Sequence, residues 1–367
     1  VTGSWSGHGR RAAVAGACAM GMLAGPALGA AHAEPDPRPQ RRPGLEQVRE
    51  QIARLHDEAE SATEAYNAAR ERTRKQRAAV IRIAKQADTA QARLNRLTDT
   101  AGAMARAQYR QGGLPAEARL LLGDDPEGFL RDVSSVRKGQ HAARGVISRL
   151  SSTKSELDRY AQSAAKEWRK LEANRRKKAL AKKRITARIA RAERLESRLA
   201  KAERERLREL EREAARARQA RWLKSEAARK LVGSPAADAS PGASAGTAGA
   251  SPAAARAIAW ATRQIGKDYQ WGATGPATFD CSGLTMRAWQ AAGKRIPRTS
   301  QEQWKRLTRV PVAAMRPGDL VIYKKDASHV GLYVGDGGLL HAPRTGRQIV
   351  VEGVGSMPIL GVVRPDA

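Results

Sequence analysis

Cysteine is nearly absent from this sequence. Cys18 and Cys281 are the only two in 367 residues, far apart and in unlike surroundings. That excludes a disulfide framework and a zinc site of the CxxC type. Aromatic residues make up only 4% and hydrophobic residues 41%, poor material for one large core. No uncharged run is both long and rich in Leu, Ile or Phe, which excludes a multi-span membrane protein. Acidic residues are also scarce, 37 Asp+Glu against 67 Lys+Arg, for a net charge of +30. A compact domain joined to something extended fits these scarcities better than a single globule.

The first 33 residues read as an export signal. Arg10 and Arg11 form a positive n-region, residues 12–33 carry no Lys, Arg, Asp or Glu, and Ala31-His32-Ala33 is a small-x-small cleavage pattern. Glu34 is then the expected first mature residue. A single membrane anchor is the competing reading, but the run is rich in Ala and Gly and contains Pro26. A twin-arginine signal at Arg10-Arg11 lacks the usual following Phe or Leu, and the apolar stretch before Cys18 is short for a lipoprotein signal. After cleavage one cysteine remains, and an unpaired thiol in a secreted chain calls for a catalytic explanation.

Charge and pattern divide the rest. Residues 34–231 carry 49 Lys+Arg and 28 Asp+Glu, and residues 253–367 carry 16 and 8. Between them, 233–252 is almost wholly Gly, Ser, Ala, Pro and Thr, a flexible linker. Leu45, Val48, Ile52, Leu55, Ala59, Ala62, Tyr66 and Ala69 open a stripe of alternating three- and four-residue spacing. It runs without a slip to Met104, with only Thr73 and Gln76 polar, and predicts a coiled-coil helix. Gly112-Gly113-Leu114-Pro115 breaks it. From about Val136 to Val232 a second helical segment runs back, with Ile147, Leu150, Leu157, Ala164, Trp168, Leu171, Ile185, Ile189, Leu199 and Leu210 as its core, faltering over Arg175 to Arg184. The expectation is an antiparallel coiled-coil hairpin over 45–232 with a helical tip near 112–135. Such a basic rod would attract polyanions. It lacks interleaved aromatics and a reading helix, so nucleic acid is set aside in favour of anionic wall polymers.

Residues 253–367 begin helically and end in short apolar or alternating strands, Leu320 to Tyr323, His329 to Val334, Leu339 to Ala342, Ile349 to Val354 and Leu360 to Val363. Helices followed by strands predict an α+β domain with an antiparallel sheet. Cys281 opens a helix after Asp280, where free amide N–H groups and the helix dipole favour the thiolate. Only two histidines accompany it. His329 starts a strand, His341 lies on the next, and Gly335-Asp336-Gly337-Gly338 makes the hairpin between them. His341 is thereby placed to hold the His329 ring, giving a thiol, a base and an orienting group.

These residues resemble the NlpC-type family of bacterial cell-wall cysteine peptidases, which have a papain-like fold. The match is carried, in family order, by Tyr269-Gln270-Trp271-Gly272, Asp280-Cys281-Ser282-Gly283-Leu284, Pro297-Arg298-Thr299-Ser300, Pro317-Gly318-Asp319-Leu320, His329-Val330-Gly331-Leu332-Tyr333-Val334-Gly335 and His341-Ala342. Ala273, Met286 and Arg287 depart from the usual pattern outside the triad. The resemblance implies Cys281 as nucleophile, His329 as base and His341 as orienter, with no metal and no cofactor. It also implies Asp280, Ser282 and Arg298 as substrate-binding residues and Tyr269 as an oxyanion donor. The implied substrate is the peptidoglycan stem peptide, cut between γ-D-glutamyl and a diamino acid. An exported chain with a basic coiled coil before such a domain is similar in architecture to secreted actinobacterial wall hydrolases.

The same scaffold serves amidases and acyltransferases, and a third reading is a non-catalytic activator or scaffold at the wall. The rod is expected to bind the wall or a wall-remodelling partner protein, or else to restrain the peptidase through the linker, which reaches about 25 Å. Both halves are positive, so restraint requires either the apolar tip around Leu120 to Leu130 or a local acidic patch.

Overall fold

A computed structural model describes residues 44–110, 126–233 and 249–367. The expected leader, residues 112–125 of the expected tip and residues 234–248 of the expected linker lie outside the described residues.

Helix α1 (Leu45–Arg110) and helix α2 (Pro126–Ser197) form the long hairpin. They are antiparallel: Glu58 meets Arg188, Gln76 accepts from Asn174 Nδ2 at 2.8 Å, and Arg93 meets Glu156 at 3.5 Å, so α2 numbers fall as α1 numbers rise. The α1 stripe is buried or half-buried at each of its expected positions, and its polar Gln76 is matched by Asn174 across the seam. Pairing the two amides leaves neither stranded among apolar neighbours.

The expected core of the returning arm needs correction. Leu171 and Ile185 are buried, but Ile147 and Trp168 are 65% and 52% exposed. The seam of α2 runs through Val146, Leu150, Thr153, Leu157, Tyr160, Ala164, Glu167 and Leu171. Ile147 and Trp168 sit one residue off it, a rotation of about 100°. The arm is also not one helix. It breaks at Arg198–Ala200, giving α3 (Lys201–Leu223), and again at Lys224–Ser225, giving α4 (Glu226–Gly233). Ala200 is extended, and the Glu203 carboxylate accepts its N–H at 2.8 Å, which caps the new helix.

The break carries α3 onto the C-terminal domain. Arg218 Nε donates to Ser356 O at 2.5 Å, Gln219 Oε1 accepts from Gly355 N at 2.6 Å, and Trp222 packs where Gly355 has no Cβ to obstruct it.

That domain is α+β, as its pattern predicts. Helices α5 (Pro252–Thr262), α6 (Cys281–Ala291) and α7 (Ser300–Arg306) precede a six-stranded antiparallel sheet. Its strands are β1 (Thr308–Val310), β2 (Leu320–Tyr323), β3 (His329–Gly335), β4 (Gly338–His341), β5 (Val350–Gly353) and β6 (Ile359–Arg364), in the order β1-β6-β2-β3-β4-β5. Only β1, a three-residue edge strand, has no counterpart among the expected strands. Alternation sorts the strands between two cores. Leu320, Ile322, Val330 and Leu332 face α5 and α6, while Val321, Tyr323, Tyr333 and Leu339 face the other way and are joined by Trp222. A strand buried on both faces is apolar at every position, which is why β2 reads Leu-Val-Ile-Tyr.

Candidate active site

Asp280 fixes the position of Cys281. Its backbone is extended and Oδ1 accepts the Gly283 N–H at 2.7 Å, so α6 begins at Cys281 and the thiol projects from its first turn. The β3–β4 hairpin turns through Asp336 and Gly337, with φ of 50° and 69°, the two positive values that a tight two-residue turn needs. The turn brings His329 and His341 together, with Nε2 of the first 2.9 Å from Nδ1 of the second. Cys281, His329 and His341 are all buried.

A fourth group, which the sequence reading missed, stands behind them. Glu352 on β5 puts Oε2 3.4 Å from His341 Nε2, while Arg347 Nη2 binds its Oε1 at 2.6 Å. Burial would raise the Glu352 carboxyl, but His341 and Arg347 outweigh it and hold it down at about 2. A charged Glu352 favours the His341 tautomer with its proton on Nε2. Nδ1 is then bare and accepts Nε2–H of His329, which leaves His329 Nδ1 free to receive a proton. Strand pairing His341↔Val350 sets this geometry, and no local motif signals it.

The expected substrate-binding residues form one network. Arg298 donates to both Asp280 oxygens, Nη1 to Oδ1 at 3.0 Å and Nη2 to Oδ2 at 2.6 Å, and to Ser282 Oγ at 2.8 Å. Asp280 Oδ2 also accepts Gly272 N–H at 2.9 Å. Tyr269 lies in the same buried cluster as Cys281. Its phenol is pushed well up, chiefly by burial.

Helix α1 enters this site, and the sequence reading did not foresee which of its residues do so. Glu64 Oε1 accepts Ser282 Oγ–H at 2.6 Å and lies 3.9 Å from Cys281 Sγ, and its Oε2 accepts Ser300 N–H at 3.0 Å. Glu60 Oε2 is 3.6 Å from His329 Nδ1 and pairs with Lys324. Asn67 Nδ2 donates to Asp280 Oδ2 at 3.0 Å, and Arg70 Nη1 to Gly272 O at 3.0 Å. Tyr66 meets Trp271 edge-on with ring centroids 5.2 Å apart. A signal was present: between Arg54 and Arg70 there are four acids, Asp57, Glu58, Glu60 and Glu64, and no Lys or Arg.

These carboxylates overturn one expectation. The thiol does sit at a helix N-terminus, yet it is raised well above its ordinary value, first by burial and then by Glu64, Asp280 and Glu60. Three nearby carboxylates outweigh one helix terminus, whose effect is modest. His329 is driven well below its ordinary value by burial, His341 and Lys324. Thiol and imidazole are both neutral in this state, and no hydrogen bond joins them among the described residues. Glu64 itself is raised to about 7 by burial and Asp280. Among the described residues, no group of three or more His, Cys, Asp or Glu side chains is arranged to hold a metal ion.

The model of the NlpC/P60 family matches residues 266–358. A probable endopeptidase of Corynebacterium glutamicum is 42% identical over 135 residues, 36% of this chain and 60% of that one. The probable endopeptidase p60 of Listeria monocytogenes is 46% identical over 91 residues, 24% of this chain and 19% of that one. The chain thus spans from about a fifth to three fifths of these relatives. Among solved structures, the NlpC/p60 domain of the peptidoglycan hydrolase SagA is 31% identical, with a TM-score of 0.29, covering 30% of this chain and 97% of that one.

Proposed function

Taking as premise that the C-terminal domain belongs to the NlpC/P60 family, we propose that this chain is a secreted peptidoglycan endopeptidase acting through Cys281. One observation carries the reading: a lone thiol at the start of α6 lies 4.0 Å from the carbonyl of Ser328, next to His329, which is in hydrogen-bond contact with His341 on the adjacent strand. In the proposed reaction His329 Nδ1 takes the thiol proton and the sulfur attacks the carbonyl carbon of the scissile amide. The tetrahedral adduct collapses as His329 returns the proton to the leaving amine, which gives a thioester. Water, deprotonated by the same nitrogen, releases the acyl group and regenerates the thiol. Tyr269 supports the oxyanion, and Asp280, Ser282 and Arg298 line the acyl side of the groove. The bond proposed is that between γ-D-glutamyl and the diamino acid of the stem peptide. The basic hairpin serves to hold the enzyme on anionic wall polymers or to meet wall-remodelling proteins.

Purified walls digested with the chain, with Glu64→Arg to empty the groove and with Cys281→Ala as control, test this. A new amino terminus on the diamino acid, found by mass spectrometry and missing from the Cys281→Ala digest, supports the assignment. New termini on another residue would replace it with the amidase reading, and no new termini from any form would remove the peptidase reading.

A further inference from the structure

We propose that residues 70–85 of α1 and 166–191 of α2 form a cationic belt that binds a linear, flexible polyanion of the cell wall. This deepens the wall-adhesion reading above and rests on it only for where the polymer is met.

The charge of the hairpin is not spread evenly along it. The two belt segments carry 19 Lys+Arg and 3 Asp+Glu. Residues 45–69 and 192–223 together carry 12 and 13, and residues 86–110 and 134–165 carry 10 and 4. The segments overlap along the rod, because Gln76 and Asn174 meet across the seam. From Arg175 to Arg191 there are nine cations and no acid. Each belt acid is paired within its own helix: Glu71 with Arg74 at 3.0 Å, Glu167 with Lys170 at 2.6 Å and Glu172 with Arg175 at 2.8 Å. Arg176, Lys177, Lys182, Lys183 and Arg184 are exposed and have no carboxylate partner among the described residues. Like charges one turn apart, as in Lys178 and Lys182, oppose the helix that carries them. A counter-charged partner relieves that repulsion.

The shape of the belt selects the kind of polyanion. Successive residues of a helix are turned by about 100°. Arg175, Arg176 and Lys177, and again Lys182, Lys183 and Arg184, therefore present cations on three sides of α2. A flat bilayer reaches only one of those sides, whereas a flexible chain can wrap all three. An interfacial helix also needs a continuous apolar face. The large apolar residues exposed in the belt are Trp168 and Leu180 on α2 and Ile81 on α1. Trp168 and Leu180 stand about 120° apart around their helix and make no such face. Length suits a polymer too, since residues 166–191 span about 39 Å of helix, several repeat units rather than one headgroup.

At the edge of the belt, Ile81, Arg82, Lys85, Arg93, Glu156 and Tyr160 help to line an open depression of about 630 Å³. Its one acid, Glu156, accepts the Tyr160 hydroxyl at 2.7 Å and pairs with Arg93 at 3.5 Å. Arg82 and Lys85 have no carboxylate partner among the described residues, so their charge is available to a ligand. Ile81 and Tyr160 add apolar surface beside them. A polymer that alternates anionic groups with uncharged units fits both features of this depression. Each counterion that such a strand releases on binding makes its affinity fall further with salt.

The test uses the full chain carrying Cys281→Ala, so that nothing is cleaved, and long-chain inorganic polyphosphate as the probe. Titrations at several salt concentrations give affinity and its salt slope. Arg176→Glu, Lys177→Glu, Lys183→Glu and Arg184→Glu, made together, are expected to weaken binding at least tenfold and to reduce the log–log salt slope by about 3. Arg96→Glu, Arg106→Glu, Arg137→Glu and Arg144→Glu change the net charge equally but lie beyond the belt, and are expected to weaken binding less than threefold. Equal weakening by the two sets would overturn the belt in favour of overall charge. Tighter binding to vesicles of anionic phospholipid than to polyphosphate would overturn it in favour of a bilayer. Retention on isolated walls, released by polyphosphate, is expected of the parental chain and not of the belt variant. Polyphosphate binding without wall retention would overturn the wall as the polymer's source. Should the reversals lower the helical signal, Gln at the same four positions decides by the same titrations. In chains that keep Cys281, hydrolysis of a soluble stem peptide is expected to be equal with and without the belt substitutions. Polymer binding with no hydrolysis by any chain would leave the belt standing and remove the peptidase reading.

Discussion

The first third of α1 and the remainder carry one continuous stripe, yet they meet different surroundings. From residue 56 to 67 a second face is buried beside the stripe, made of His56, Glu60, Thr63, Glu64 and Asn67 at helical spacing. Beyond residue 70 only Ala90 is fully buried, and Ile81 is 57% exposed. The stripe pairs α1 with α2 and, at its start, with Leu207 of α3. The flank holds the domain together with Arg218, Gln219 and Trp222 of α3, and in the flank the informative residues are polar. An apolar flank would have read as a wider core, whereas buried acids specify a partner with matching donors.

The largest effects expected are those that separate closing the groove from disabling it. In a chain opened by Glu64→Arg, Cys281→Ala and His329→Ala should each lower hydrolysis on the order of a thousandfold or more, because nucleophile and base act as a unit. The same substitutions should leave the hairpin's helical signal unchanged. If opened chains with and without Cys281 hydrolyse stem peptide equally, the docked flank covers something other than the catalytic centre.

Stability should follow the stripe and ignore the exposed face. Ile52 is fully buried against Ala192 and Leu207, so Ile52→Ala is expected to cost about 2–5 kcal/mol. Ile81→Ala, on the same helix, should stay within about 0.5 kcal/mol. Denaturant unfolding followed by circular dichroism measures both, and equal losses would mean that Ile81 packs on something in solution.

A smaller effect is expected at the far end of the histidine pair. Glu352→Ala in an opened chain should lower kcat about tenfold with little change in KM, equivalent to about 1.4 kcal/mol. Glu352→Gln, which keeps an acceptor for His341 Nε2–H, should recover most of that loss. Equal effects from the two substitutions would assign Glu352 a packing role and remove it as the group that sets the His341 tautomer.

The readable parts of this molecule are those in which local chemistry settles local structure. The Asp280 cap, the Asp336-Gly337 turn and the apolar run of β2 are each visible within a few residues, so the helix start at Cys281 and the hairpin that pairs His329 with His341 follow from sequence. Ile147 and Trp168 misled because a large apolar residue one position off a seam looks much like one on it. The break at Ala200 has no Gly or Pro to mark it and is stabilised by where α3 goes. Glu64 and Glu352 stayed hidden because each acquires its role from a partner more than 150 residues away or on a neighbouring strand. Counting charge over the whole rod concealed the sign reversal between Arg54 and Arg70.

The last and smallest expected effect is a pH dependence of the docked flank. Glu64 is raised in the docked state to about 7, by burial and Asp280 against the opposing pull of Arg298, Ser282 and Ser300 N–H. Glu60 is raised as well, by burial and Asp57 against Lys324 and Arg344. A carboxyl whose value is higher docked than free favours docking while it is protonated. That contribution is complete below the free carboxyl range, near 4.5, and is lost as pH climbs to about 7. Docking should therefore be tighter at pH 5 than at pH 8. Exchange of the Ser300 N–H, which Glu64 protects, reads this directly once the intrinsic pH dependence of exchange is divided out. Glu64→Gln should flatten the profile and leave only the share due to Glu60. Protection that grows between pH 5 and pH 8 would mean instead that Glu64 docks as a charged group held by Arg298, and the comparison between flank and rod would then be one of ion pairing and not of burial.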